Sequence, residues 1–398
     1  MTLARKRVFS MSEGITLSVL TLAAGGFVVV GASANAPHIR ATLGLSAVGV
    51  GAIASVAYLG AMFSSRIGGR TTDRLGPTAV ISAGMTAMAA GVGVAAVAPG
   101  AVVLYLGVLL AGLGYGVINP ATSVLANPST ARRRGLVMSV KQSGVPIGGI
   151  AAGAVLPRLS SAIGWREAFL LPLLVCVGVA VLVDQRGRRR SALFGNSTEV
   201  VRSSVRMRLP HGFAYGFVTA GAQVSLFAFT TVYLADGRHF SPDRAGLGVS
   251  LLLLGGVVGR PAWGWVSDLF PERRLLILQL TAVLGAGAIL AIWSVPVGWL
   301  PVALFLTGTS AVAWNGVYVA AVTEAAEPHE IGWTTGASLT LINLGAVACP
   351  IVIGLIVQLT HSWAWGWSTC AAISLMGVLV IVVSRVDPLS EPTLEAAA

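Results

Sequence analysis

Twelve apolar runs of about twenty residues, separated by short polar breaks, constrain this chain more than any single motif in it. A hydrocarbon core about 30 Å thick takes roughly 20 apolar residues per helix, so the pattern reads as an all-α membrane protein crossing the bilayer twelve times. Composition agrees: 55% of residues are hydrophobic, 10% are charged and the mean hydropathy is +0.82, a balance at which a soluble domain would aggregate. The 49 glycines suit helices that approach closely in lipid. A net charge of +11 raises the question of nucleic acid. The basic residues, however, sit in short loops rather than on one face, so no nucleic-acid partner is expected. Cys176, Cys349 and Cys370 lie inside apolar runs without ligand spacing, which points to packing rather than to a disulfide or a metal. The five histidines form no metal-ligand pair and no nucleophile elbow is present, so neither an enzyme nor a cofactor is expected.

The first run, at about 15–34, follows Arg5, Lys6 and Arg7 and precedes Ala32-Ser33-Ala34-Asn35-Ala36, which has the look of a signal-peptidase site. The run is long for a signal peptide, and it is read as an uncleaved helix. Residues 35–38 are expected to turn the chain into segment 2, from about 45 to 66. Segment 3 follows at about 78–97, segment 4 ends near 125, and segments 5 and 6 span about 136–156 and 168–183. Segments 7 to 12 fall at about 211–235, 244–266, 275–294, 298–322, 332–359 and 364–384. Residues 1–184 are expected to form one six-helix bundle and 211–398 a second with a short tail. Between them, 185–210 is a polar, arginine-rich linker.

Between segments 2 and 3 stands Gly69-Arg70-Thr71-Thr72-Asp73-Arg74-Leu75-Gly76, read as a charged turn with Asp73 just beyond a helix end. A weaker copy, Gly264-Trp265-Val266-Ser267-Asp268 followed by Pro271-Glu272-Arg273-Arg274, comes 195 residues later between segments 8 and 9. The Gly-x-x-x-Asp spacing with a following Arg resembles the signature loop of the major facilitator superfamily of transporters, and the copy is what an internal duplication leaves. Pro146 in segment 5 and Pro350 in segment 11 match in the same way. The resemblance covers essentially the whole chain. It implies two pseudo-symmetric six-helix bundles, alternating access, and gating roles for Gly69, Asp73, Arg74, Gly76, Gly264 and Asp268.

It also implies that Asp73 faces the start of segment 11 near Gly332, where free amides and the helix dipole stabilise a negative charge. Without the resemblance, Asp73 and Arg74 read as the cap of a solvated loop. The sequence departs from the family pattern at Pro77, where a basic residue is usual. It departs again in lacking a carboxylate near the end of segment 4 to pair with Arg74.

Assigning the amino terminus, the even-to-odd loops and the tail to one face gives that face Arg5, Lys6, Arg7, Arg66, Arg70, Arg74, residues 132–134, seven linker arginines, Arg273, Arg274 and Arg385. The other face keeps Arg40, Arg158, Arg166, Arg238 and Arg244. By the positive-inside rule both termini are expected in the cytoplasm of a cell-membrane protein.

Two cations fall within spans, where a charge costs roughly 2.5–3.5 kcal/mol on insertion scales. Arg260 shares a segment-8 face with Gly256 and Gly264. Its surroundings, Gly259-Arg260-Pro261-Ala262-Trp263-Gly264, resemble the segment-8 motif of monocarboxylate transporters, which implies that the guanidinium takes a substrate carboxylate. Position 256 is Gly where that family has an acid. The same residue lies about four residues from the boundary, within snorkelling reach, and both readings stand. Lys141 leans toward a cavity, given its neighbours Gln142, Gly144 and Gly148.

Tyr115 and Asn119 recur with Ser123 at helical spacing on segment 4. Trp314, Asn315 and Tyr318 cluster on segment 10, and Gln223 and Asn343 are secondary candidates, each alternatively an interhelical hydrogen bond. Glu13, Asp184 and Glu324 lie near segment ends, so no mid-span carboxylate offers a proton relay; the substrate itself or His38 remains open for a coupling proton or ion.

These residues together suggest a secondary transporter of a small organic anion, a carboxylate, working as a monomer among membrane lipids. The alternative is a multidrug or metabolite exporter of the same fold, acting as an antiporter.

Overall fold

The computed structural model describes residues 11–45, 47–126, 134–194, 212–240, 242–326 and 331–386. Arg5, Lys6, Arg7, Arg132, Arg133, linker positions 195–210 and the tail from 387 lie outside the described residues. Every regular element among the described residues is helical. The amino-terminal half runs through α1 (Met11–Ala34), α2 (Ala36–Leu43), α3 (Ala47–Leu75), α4 (Pro77–Ala96), α5 (Ala101–Ala126), α6 (Arg134–Gln142), α7 (Gly144–Ile163), α8 (Trp165–Ala168) and α9 (Leu170–Phe194). The carboxy-terminal half continues with α10 (Gly212–Val232), α11 (Pro242–Leu269), α12 (Arg274–Ser294), α13 (Leu300–Ala311), α14 (Asn315–Ala325), α15 (Ile331–Thr360) and α16 (Trp363–Val386).

Among the described residues, eleven spans are long and apolar enough to cross a membrane, α6–α7, α8–α9 and α13–α14 each making one together. The twelfth is α3, whose 29 residues reach about 43 Å at 1.5 Å per residue and end in a polar turn. The fold is that of two six-helix bundles. One buried apolar cluster draws on residues from Leu17 to Val183, and two others on residues from Phe213 to Ile381 with Met138 of α6 added. Large apolar side chains such as Phe63, Leu106, Leu174, Leu284, Leu306, Ile351 and Leu379 face outward, as a surface solvated by lipid requires.

Four sequence expectations change. The signature stretch is no loop: Gly69 to Leu75 form the last turns of α3, and the break comes only at Gly76, whose φ of 85° suits a residue without Cβ. Asp73 therefore lies inside a helix end, as does Asp268 in α11. Residues 36–43 form the short α2 rather than a turn, because Pro37 has a φ suited to the first helical turn and Gly44 at φ 63° closes it. The third change is that α9 runs on to Phe194, past the expected end near 183. Its added turns carry Arg186 beside Glu13 at 3.4 Å and Arg188 on Asp184 at 2.8 Å.

Finally, spans 5 and 10 are each broken in two, at Ser143 and at residues 312–314. The first break has a covalent cause: Pro146 has no N–H, so the carbonyl of Gln142 four residues earlier loses its helical donor.

Candidate functional site

A central cavity of about 70 Å³ lies where the two broken spans meet α1, α3, α5, α10, α11 and α15. Its walls include Tyr58, Tyr115, Asn119, Gln142, Gln223, Arg260, Trp314, Asn315 and Asn343. That volume holds a few water molecules, or the polar part of a small ligand, at about 10–15 Å³ each.

Arg260 is the cavity's cation, and the helix breaks explain how it is held. Its Nη1 donates to the Gln142 carbonyl that Pro146 leaves free, and its Nε donates to the carbonyl of Val312 in the other break at 3.2 Å. One guanidinium thus brackets the two halves of the chain, through neutral acceptors only. Among the described residues no carboxylate lies within ion-pair distance of it. At 2% exposure Arg260 is not snorkelling to a membrane surface.

The polar residues around it are partly committed to one another. Asn315 Nδ2 donates to Gln223 Oε1 at 2.8 Å, and Asn343 Nδ2 donates to Ser65 Oγ at 3.1 Å, tying α15 to α3. Gln142 Oε1 and Trp314 Nε1 are buried without a partner. Tyr58 was not singled out by any spacing. It is the only polar side chain between Ser55 and Ser64, and that isolation in an apolar run was the available signal.

Two candidates leave the cavity wall. Lys141 points the other way along α6: its Nζ donates to Ser123 Oγ at 2.7 Å, to Asn119 Oδ1 at 3.2 Å and to the Asn119 carbonyl at 3.4 Å, with the side chain fully buried. Tyr318 stands behind the wall, stacked on Tyr215 at 6.0 Å, edge-on to Trp314 at 5.4 Å and bonded to Ser338 Oγ at 3.3 Å. His38 is on α2, bonded to Ser161 Oγ at 3.1 Å, and is not part of the cavity.

The signature stretches close one face of the molecule with two matching contacts across the halves. Asp73 accepts from the amides of Gly332 at 3.0 Å and Trp333 at 2.7 Å, the free donors that begin α15. Asp268 accepts from Gly135 and Leu136 at 2.8 Å each, the first amides of α6. Gly69 and Gly264 sit where the opposing helix is nearest. A Cβ on Gly69 would overlap the Gly332 carbonyl, and one on Gly264 would overlap Ser139.

The copy that looks weaker in sequence carries the fuller charge network. Arg274 donates to Asp268 Oδ1 at 2.9 Å, and its Nε lies 3.0 Å from Glu324 Oε2 at the end of α14. Arg74 is exposed and makes no ion pair among the described residues.

Helical membrane spans in two bundles, a twice-used acid contact and a central polar cavity define a two-bundle membrane transporter. The model of the Major Facilitator Superfamily matches residues 16–241 and 212–398, and the chain belongs to that family. It is therefore a multi-pass membrane transporter of small molecules and not an enzyme.

The chain is similar to the hexuronate transporter of Bacillus subtilis, at 24% identity over 88% of this chain and 89% of that one. It is similar also to the gentisate transporter of Corynebacterium glutamicum, at 25% identity over 85% and 80%. The crystal structure of the human organic anion transporter MFSD10 superposes with a TM-score of 0.77 at 15% identity, covering 94% of this chain and all of that one, a likeness of fold.

Proposed function

We propose that this protein is a secondary transporter moving a small carboxylate anion by alternating access, with Arg260 receiving the carboxylate in the central cavity. The observation that carries the reading is the Arg260 guanidinium on the cavity wall, held by two carbonyls and, among the described residues, without a carboxylate within ion-pair distance. A planar guanidinium offers parallel donors matched to a carboxylate, and such charge-assisted bonds are roughly twice as strong as neutral ones. An entering carboxylate therefore competes with the Gln142 carbonyl for Nη1. Because Gln142 belongs to one half and Val312 to the other, that competition loosens the bracket between the bundles and links occupancy to their rearrangement. Hexuronate and gentisate, the named substrates of the two relatives above, are both carboxylates, which supports the same class.

In this scheme the helices of residues 11–194 and those of 212–386 move as two bodies, and the Asp73 and Asp268 contacts hold shut the face they occupy. The concentration of Arg66, Arg70, Arg74, Arg273 and Arg274 there supports placing that face in the cytoplasm, with both termini inside.

Thermal unfolding of the detergent-purified protein against gentisate, glucuronate, lactate, glucose and tetraphenylphosphonium tests the reading. A bound ligand stabilises by about 2.7 kcal/mol at one hundred times its Kd. Stabilisation by one or more carboxylates, lost in Arg260→Gln, is the expected result. Stabilisation by tetraphenylphosphonium alone, unchanged in Arg260→Gln, would overturn the anion site in favour of a drug exporter.

A further inference from the structure

Lys141 is left without a role by the cavity, and its surroundings give it one. The amino group is fully buried and bonded to neutral oxygens, two of them on Asn119, and Asn119 is also among the residues that line the cavity. We infer that Lys141 is the site of a proton taken up with the substrate, and that Asn119 is the side chain through which protonation and anion binding are linked. The inference rests on the anion reading above.

The argument turns on what each group can donate. An ammonium is a donor only, so the end of the Asn119 amide that faces it must be the oxygen, as the 3.2 Å contact has it. The amide nitrogen, a donor, is then the end left for the cavity, on the same wall as Arg260. A charged Lys141 thus sets Asn119 to present a donor to an incoming carboxylate.

The neutral amine has a lone pair and accepts. Asn119 then turns its nitrogen toward Nζ and its oxygen toward the cavity, where an acceptor repels the anion. Anion affinity depends on the proton, and by reciprocity the anion draws a proton onto Lys141. One proton from water and one carboxylate enter together, so the loaded carrier moves no net charge. Arginine in this position could not serve, since it does not release its proton at any pH a protein tolerates.

Among the described residues packed against α6, no other ionisable group competes for the role. Of the helices packed against α6, α5 contributes Tyr115 and α11 contributes Arg260, which reaches α6 at the Gln142 carbonyl. The Asp268 carboxylate of α11 binds Gly135 and Leu136 at the opposite end of α6, five or more residues from Lys141 and about 8 Å along the axis. On α14, Tyr318 bonds to Ser338 and Glu324 is held by Arg274. Glu13 of α1 pairs with Arg186, and Arg158 of α7 bonds to its own helix. Arg134, at the start of α6, reaches Thr323. The negative charge that can approach Lys141 is therefore the one that enters the cavity.

The test uses the full chain in proteoliposomes, with radiolabelled gentisate or glucuronate, whichever stabilises the purified protein. Wild type should lose affinity as pH rises, by at most about tenfold per pH unit, the limit for one linked proton. An inward proton gradient should drive accumulation without current. Lys141→Gln should bind and exchange substrate with a flat pH profile and should not accumulate it; Asn119→Ala, which removes a donor from the cavity wall, should bind it more weakly, with the same flat profile and no accumulation.

Retention of the wild-type pH slope and proton-driven accumulation in Lys141→Gln would overturn the inference. Should that variant fail to fold, the same retention in Asn119→Ala would do so. An Arg260→Gln variant that still binds the carboxylate instead refutes the anion site. Wild type that responds to no carboxylate refutes both readings.

Discussion

The contacts at Asp73 and at Asp268 are one device built twice, and their surroundings differ. Each acid ends a helix of one half and accepts two amides from the first turn of a helix in the other, beside a glycine that permits the approach. Asp73 does this at an exposed position, where Arg66 and Arg70 lie over the Trp333 ring at 4.4 and 4.0 Å. Asp268 does it in a buried one, its charge shared with an Arg274 that is 3% exposed and reaches Glu324 as well. The two contacts share the geometry of acid on amide, while the electrostatics around them differ. An exposed carboxylate on a helix terminus is worth a fraction of a kcal/mol to about 1 kcal/mol and is screened by salt. The Asp268–Arg274 pair is buried and must break or move as a unit, so the Asp73 contact is expected to open first.

The sharpest break of this comparison is Arg274→Ala. Removing the cation leaves the buried Asp268 without its counter-ion and should cost about 3–5 kcal/mol in thermal unfolding; a loss below about 1 kcal/mol would show the pair to be solvated and the two contacts to be equivalent. Next come Gly69→Val and Gly264→Val, which act on sterics and not on charge. Both should destabilise this closed face by about 1–3 kcal/mol and raise the alkylation rate of a cysteine placed on it, with no difference between the copies. Asp73→Asn should cost about 0.3–1 kcal/mol. That loss should vanish in 1 M salt, where the screening length is about 3 Å, whereas the effect of Asp268→Asn should persist. Arg74→Ala, the smallest, should stay within about 0.5 kcal/mol of wild type.

Legibility followed the range of the interaction. The twelve spans could be read from local hydropathy, and the acid contact on Gly332 from the signature stretch and its family resemblance. Tyr115, Asn119, Gln223, Asn315 and Asn343 were readable because a polar side chain in an apolar run stands out whatever its neighbours. The direction in which such a side chain points was not readable. Lys141 and Gln142 are adjacent, yet one reaches back to α5 and the other lines the cavity. Helical rotation of about 100° per residue separates them, and which side held the cavity depended on where α5 and α11 packed. Nor was the charge network of the second copy readable, because Glu324 lies 50 residues beyond Arg274 in sequence and meets it only through the fold.

By itself the sequence determined that the chain is helical, spans a membrane, and is a duplicated transporter, since hydropathy, a repeated motif and the penalty on unpaired backbone in lipid are properties of the chain as written. Tertiary structure alone decided the state of Arg260. Pro146 removes a donor locally, but the freed carbonyl of Gln142 acquires meaning only when α11 brings a guanidinium to it and the break near Val312 supplies the second acceptor. Hydrogen bonds and ion pairs act over about 3 Å, and residues 118 apart in sequence come that close only once the two halves have packed.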